Sequence, residues 1–159
     1  VSGGGNVSAM GAVASAARSH GGYTVGVIPK ALVHREVADT EADELVVTDT
    51  MRERKQVMED RADAFISLPG GIGTLEELVE IMTWGELGRN ENTVVIGDMN
   101  GFWEPFSRLV DHMKSEGFIH RSDSVRPITA DTIADIAPAI EGALRPKAAE
   151  GRPEIIDSL

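Results

Sequence analysis

The segment from Ser67 to Glu77 combines residue types and spacing that are suited to binding an anion. Its sequence, SLPGGIGTLEE, places three glycines between a short apolar run and two adjacent acids. Glycines permit a tight turn and a close approach of the backbone to a ligand, and Thr74 is placed to cap a helix that follows them. The unpaired N–H groups of a helix's first turn attract anions together with the helix dipole. The segment therefore predicts a phosphate-binding loop at a helix N-terminus.

Acidic residues just inside this predicted helix suggest a second kind of chemistry. At helical spacing Glu76 and Glu80 share a polar face, whereas Glu77 lies in line with Ile81 and Trp84. A carboxylate beside apolar groups and near cations can have a pKa suited to activating water or to stabilising a cationic transition state. The alternative, held about equal on sequence alone, is a first-turn acid that only stabilises the helix dipole.

Two cations lie on the apolar stripe of the preceding predicted helix, over residues 51–61. The i, i+3, i+4, i+7 spacing gives one face to Met51, Arg54, Lys55 and Met58. Burying a charge without a partner costs roughly several kcal/mol, so Arg54 and Lys55 are expected to meet a protein carboxylate or a ligand phosphate. The alternative is that both extend into solvent from the edge of the stripe. The glycine loop nearby in sequence favours the first interpretation.

The elements that must position these residues alternate between strand and helix with short connections. This order predicts an α/β protein with a Rossmann-like, doubly wound parallel sheet and helices on both faces. We expect one nucleotide-binding domain over residues 1–145 and a frayed C-terminal tail over 146–159. The predicted strands are 24–28, 45–48, 64–68, 93–97 and an edge strand at 125–128; the predicted helices are 8–19, 51–61, 74–87, 102–116 and 130–144, with a loop over 30–43.

The first residues, Val1 to Asn6, look like the end of a strand that enters a glycine turn. We therefore expect that the sequence lacks the first strand–helix unit that such a sheet usually contains. The Gly3-Gly4-Gly5 turn either faces the same crevice as the phosphate loop or only allows close packing between strand and helix. The residues leave these two interpretations equal.

Composition excludes several classes of protein. A net charge of −11 over 159 residues argues against a nucleic-acid-binding protein. The sequence contains no run of about eighteen consecutive apolar residues, so it predicts no membrane span. The absence of cysteine excludes disulfides and thiolate ligands and fits a cytoplasmic protein. The four histidines are scattered without ligand spacing, so we expect neither a metal site nor a cofactor.

Several motifs together resemble one known family. These are Gly3-Gly4-Gly5 with Met10-Gly11, Gly26-Val27-Ile28-Pro29, MRERK at 51–55 with Met58, PGGIGTLEE at 69–77, and Thr83-Trp84 with Leu87-Gly88. In this order and spacing, from Val1 to about Asp111, they are similar to the LONELY GUY family of cytokinin riboside 5′-monophosphate phosphoribohydrolases. Members of this family are often mislabelled lysine decarboxylases, but nothing in the sequence outlines a pyridoxal phosphate site.

The resemblance implies hydrolysis of the N-glycosidic bond of adenosine 5′-monophosphate, or of an N6-substituted form, to the free base and ribose 5-phosphate. It implies Arg54 and Glu77 as the catalytic pair and a homodimer as the assembly. Nucleotide contacts are implied for both of these residues and for Glu36, Met51, Lys55, Gly70, Gly71, Ile72, Gly73 and Thr74. The alternative is a nucleotide-binding or carrier protein without turnover, which would need the loop but not the acid. The sequence leaves the preferred base open.

Overall fold

The computed structural model describes residues 1–33, 38–87, 92–119 and 126–144. The chain forms two compact units, Val1–Asp63 and Ala64–Leu159, which are described separately below. Glu36 and the predicted tail over 146–159 lie outside the described residues. The expectation of a single domain over 1–145 stays a prediction.

The described residues confirm the predicted α/β class, with parallel pairing in both sheets. The helices are α1 (Ser8–Ser19), α2 (Met51–Asp60), α3 (Ile72–Glu86), α4 (Glu104–Ser115) and α5 (Ile133–Leu144). The strands are β1 (Val25–Pro29), β2 (Glu44–Thr48), β3 (Ala64–Ser67), β4 (Thr93–Gly97) and β5 (Ile128–Ala130). Short 3-10 turns lie at Lys30–Leu32, within the predicted loop, and at Met99–Gly101.

In the first unit, β1 is buried along its whole length and pairs in parallel with β2. Ser2 lies along the same strand, since its N–H donates to the Val25 carbonyl at 2.8 Å and its carbonyl accepts from Val27 N–H at 2.9 Å. The predicted strand end at the start of the chain is therefore present as a parallel bridge between Ser2 and Gly26. Helix α2 packs against β1 and β2.

An ion pair and a set of hydrogen bonds join α1 and the start of β1 to the segment before β2. Arg18, near the end of α1, donates to the buried Asp39 at 2.8 Å. Asp43 accepts from the Thr24 N–H at 2.7 Å and from the Thr24 hydroxyl at 2.8 Å. These two hydrogen bonds hold the pKa of the Asp43 carboxyl below its usual range.

In the second unit, the parallel sheet has the order β3-β4-β5 and carries helices on both faces. Successive side chains of a strand point to opposite faces, and β4 follows this rule. Ile96 packs with α3 and α4 in a cluster that includes Leu78 and Trp103, whereas Val95 packs with Ile136 of α5. The central strand is thus covered on both sides, as the doubly wound prediction requires.

The edge strand of this sheet differs from its prediction in position. Pairing of β5 with β4 runs from Ile128 to Ala130, whereas Val125, the first residue of the predicted strand, lies outside the described residues. Pro127 has no N–H to donate to a sheet ladder, so the strand begins after it. Within the described residues, no helix is both long and apolar enough to cross a bilayer.

Candidate functional site

The glycine loop leads directly into α3, which begins two residues earlier than predicted. Gly71 is the N-cap residue, with extended backbone angles of φ −91° and ψ −163°, and it contributes no side-chain cap. The first intrahelical bond runs from Leu75 N–H to the Gly71 carbonyl at 3.1 Å. The prediction that Thr74 caps the helix is therefore wrong, because Thr74 already lies within the first turn.

This early start changes which backbone groups are available to an anion. The N–H groups of Ile72, Gly73 and Thr74 precede the first intrahelical donor and have no acceptor inside the helix. They lie at the positive end of the fifteen-residue α3. The predicted phosphate-binding loop is thus a helix N-terminus whose first turn consists of the same residues.

The glycines of the loop differ in the space around them. A Cβ atom added at Gly71 or Gly73 would meet nothing within 4 Å. A Cβ atom added at Gly70 would collide with the Thr74 hydroxyl and would lie 2.9 Å from Thr74 Cβ. Gly70 is therefore required for packing inside the loop, whereas Gly71 and Gly73 border open space from which a ligand can approach.

Burial along α3 separates its acids only in part as predicted. Leu78 and Met82 are buried in the core, Glu76 is exposed, and Glu77 is half-buried. Glu80, expected on the polar face with Glu76, is half-buried as well. Glu77 is also only three residues beyond Thr74, about one helical turn from the loop.

One residue of this helix differs from its sequence pattern. Helical spacing groups Val79 with Leu75, Leu78 and Met82 on one apolar stripe and predicts that it is buried, but Val79 is 44% exposed. The core side of α3 is centred on Leu75, Leu78 and Met82. At 100° per residue Val79 falls at the edge of that stripe, where it remains open to solvent.

Helix α2 begins at a capping box that the sequence analysis missed. The Thr50 hydroxyl accepts from Glu53 N–H at 3.1 Å, and the Glu53 carboxylate accepts from Thr50 N–H at 3.3 Å. The sequence signal was available, since a threonine followed three residues later by a glutamate is typical of this motif. The box defines where α2 starts and so defines the direction in which Arg54, the next residue, projects.

Arg54 is the one charged residue of α2 that is buried among the described residues, at 6% exposure. Its Nε donates to the Val27 carbonyl of β1 at 3.1 Å. Its guanidinium lies directly against Gly3, where an added Cβ would collide with Nη2 and lie 3.2 Å from Cζ. The alternative in which Arg54 extends into solvent is therefore wrong.

The neighbours of Arg54 on the predicted stripe are less buried. Lys55 and Met58 are half-buried. Met51 was expected on the apolar face, but it is 45% exposed at the first position of α2. The predicted contact of Met51 with a nucleotide does not depend on its burial and stays a proposal.

The candidate residues thus form two groups, one in each unit. In Val1–Asp63, Arg54 lies with Gly3 and Val27. In Ala64–Leu159, the loop from Gly70 to Thr74 lies one turn from Glu77. A cavity of about 140 Å³ in the second unit, between β4, α4 and the residues before β5, is lined by none of them.

Comparison with known proteins shows the family of this chain. A family model described as "Possible lysine decarboxylase" matches residues 10–140. The chain is 56% identical over 133 residues to a protein of Mycobacterium marinum, and 53% identical over 133 residues to one of Mycobacterium tuberculosis. Both are named cytokinin riboside 5′-monophosphate phosphoribohydrolase, and each match covers 84% of this chain and 71% of the relative. The chain belongs to the LONELY GUY family.

A plant member of the LONELY GUY family is more distant. The chain is 42% identical over 141 residues to cytokinin riboside 5′-monophosphate phosphoribohydrolase LOG of Oryza sativa subsp. japonica. This match covers 89% of this chain and 58% of the relative. The resemblance predicted from the motifs is confirmed. The family match begins at Met10, so it includes Arg54, the glycine loop and Glu77 but not Gly3.

Proposed function

We propose that this protein hydrolyses the N-glycosidic bond of adenosine 5′-monophosphate, or of an N6-substituted form, and releases the free base and ribose 5-phosphate. The observation that carries the proposal is the identity of 53–56% with two relatives named as phosphoribohydrolases, over 84% of the chain. The buried position of Arg54 and the open helix N-terminus at Gly71 support it, because they offer a fixed cation and an anion site.

The 5′-phosphate binds the first turn of α3 in this proposal. The N–H groups of Ile72, Gly73 and Thr74 donate to its oxygens, and the helix dipole adds to the attraction. Binding energy from this remote phosphate is then available to orient the ribose for the step at C1′. Open space at Gly71 and Gly73 permits the approach of the phosphate.

Glu77 acts at the bond that breaks. Water forms a bond to C1′ while the C1′–N bond breaks and its electron pair goes to the base, which takes up a proton from the solvent. Positive charge develops on the ribosyl group during this step. The carboxylate of Glu77 stabilises that charge and accepts the proton of the attacking water.

Arg54 supplies positive charge from a rigid position. Its guanidinium binds the phosphate or the ribose of the nucleotide. It does not transfer a proton to the base, because a guanidinium scarcely deprotonates. Glu36, Met51 and Lys55 remain proposed nucleotide contacts.

The direct test is to incubate the purified protein with AMP and with N6-prenylated AMP and to follow free base and ribose 5-phosphate by chromatography. We expect both products in equal amounts from at least one substrate, and the ratio of kcat/KM values identifies the preferred base. Nucleotide binding without product would support the carrier alternative. Lysine with added pyridoxal phosphate is the parallel assay, and release of the decarboxylated diamine would contradict the proposal.

The glycine loop yields a prediction that separates packing from ligand access. Gly71→Ala should leave the Tm unchanged, because its Cβ meets only open space. It should weaken AMP binding by about tenfold or more, equivalent to ~1.4 kcal/mol, because the methyl group occupies the path of the phosphate. Gly70→Ala should instead lower the Tm, because its Cβ collides with Thr74. Calorimetry and AMP titration measure both quantities, and equal Tm losses for the two variants would contradict this assignment.

We also expect a homodimer that uses α3. The sequence shows a second apolar line at Ile81 and Trp84, and both residues are half-buried within the chain. Ile81→Glu should shift the protein towards monomer in light scattering at micromolar concentration. Val13→Glu on α1, where the valine is 51% exposed, is the matched control and should leave the mass unchanged. A monomeric unmodified protein would contradict the expectation.

A further inference from the structure

We propose that Gly3 is a positioning residue for Arg54. The absence of a side chain at position 3 creates a slot in which the guanidinium lies, and no other residue type leaves that slot open. The catalytic consequence of this inference rests on the proposed function, whereas the position of the Arg54 side chain does not.

The slot is defined by what a Cβ atom at position 3 would meet. It would collide with Arg54 Nη2, lie 3.2 Å from Arg54 Cζ and lie 2.9 Å from Met10 Sδ. Gly3 is buried, so an added methyl group has no route into solvent. Two of the three nearest atoms therefore belong to Arg54, which must move if Gly3 acquires a side chain.

The backbone does not explain a glycine at this position. Gly3 is absent from the residues with positive φ, so alanine can adopt its conformation. The next residue differs, because Gly4 has φ of +75° and its Cβ would lie 3.0 Å from Ile28 Cβ. The sequence allowed this turn either to face the crevice or to permit close packing. Gly4 provides the positive φ of the turn and the close packing against Ile28. Gly3 leaves space for the Arg54 guanidinium.

The slot and the second anchor of Arg54 belong to the same sheet. Hydrogen bonds of 2.8 Å and 2.9 Å tie Ser2 to Val25 and Val27 of β1. The Val27 carbonyl also accepts from Arg54 Nε at 3.1 Å. The Arg54 guanidinium is thus held at Nε by the Val27 carbonyl of β1, and its Nη2 lies against Gly3. A methyl group at position 3 would push the two terminal nitrogens of Arg54 away from Gly3 and strain the hydrogen bond from Nε to the Val27 carbonyl.

The first measurement is AMP hydrolysis by Gly3→Ala. A displacement of about 1 Å in a catalytic group can cost about 10²-fold in rate, so we expect kcat/KM to fall by about that factor. Gly142→Ala is the matched control, since a Cβ on this exposed glycine of α5 meets nothing within 4 Å. Its kcat/KM should remain unchanged.

Two double variants separate Arg54 from general packing. Met10→Ala removes the sulfur contact, so Gly3→Ala combined with Met10→Ala should remain impaired if Arg54 is the residue displaced. Arg54→Lys removes the Nη2 branch, so adding Gly3→Ala to Arg54→Lys should reduce AMP affinity or kcat/KM by less than about twofold. Recovery of activity with Met10→Ala, or a full additional loss in the Arg54→Lys background, would overturn the proposal.

An NMR readout tests the inference without reference to activity. The Nε–H resonance of Arg54, assigned by its loss in Arg54→Lys, should shift and exchange faster with solvent in Gly3→Ala, because its bond to Val27 is strained. An unchanged resonance in a folded Gly3→Ala protein overturns the positioning role. Absence of base release by the unmodified protein overturns the proposed function instead, so the two failures are distinguishable.

Discussion

Replacement of Glu77 by glutamine should lower the turnover of AMP by about 10²-fold or more while AMP affinity is retained. Loss of general-base or electrostatic assistance typically costs a factor of this size. Glutamine preserves the length and shape of the side chain, so α3 and its packing should be intact. Removal of a negative charge near the phosphate relieves repulsion, and the affinity for AMP is expected to be equal or higher. Single-turnover release of base and equilibrium AMP binding measure the two effects separately.

Glu76→Gln is the matched control for this experiment. Glu76 is the neighbouring acid in the first turns of the same helix, but it is exposed whereas Glu77 is half-buried. Both substitutions remove one negative charge near the same helix N-terminus, so the effect on the helix dipole is shared. Glu80→Gln is also expected to be nearly silent. Full activity of Glu77→Gln would show that Glu77 has no catalytic role and only stabilises the helix dipole.

Replacement of Arg54 by alanine should weaken AMP binding and turnover together. Hydrogen bonds to charged groups contribute about 1.5–3 kcal/mol, so we expect a loss of about 10- to 10²-fold in affinity and a further loss in kcat. The effect should be large because Arg54 is 6% exposed and is held by the Val27 carbonyl. Arg54→Lys should recover only part of the affinity, because an ammonium group lacks the planar fork.

Arg52→Ala controls for the loss of a cation from α2. Arg52 is exposed and lies two residues before Arg54, so its removal changes the net charge equally. Its AMP affinity and kcat should stay near those of the unmodified protein. Thermal unfolding of both variants shows whether loss of the buried side chain destabilises the fold. An Arg54→Ala enzyme with unchanged affinity and rate would exclude any contact between Arg54 and substrate.

The order of strands and helices was predictable because it depends on local patterns. The place of Arg54 on the apolar stripe followed from its helical spacing to Met58, whereas its burial was decided by the structure. The loop at Gly70–Thr74 followed from glycines between a strand and a helix. Predictions failed at the ends of elements, where a few residues decide the outcome, and at Val79, which lies at the edge of an apolar stripe. Met51 and Thr74 both lie in a first helical turn, and the fate of a first turn depends on its cap and on what covers it.

Sequence alone determined the family, the α/β class and the residue types available for chemistry, because each of these is encoded in contiguous segments with regular spacing. It did not reveal why position 3 is glycine. That reason depends on Arg54, which approaches Gly3 only after Ser2 pairs with β1 and α2 packs against the same strand. Only the tertiary structure decided this contact, because steric exclusion between residues distant in the chain leaves no periodic pattern in the sequence.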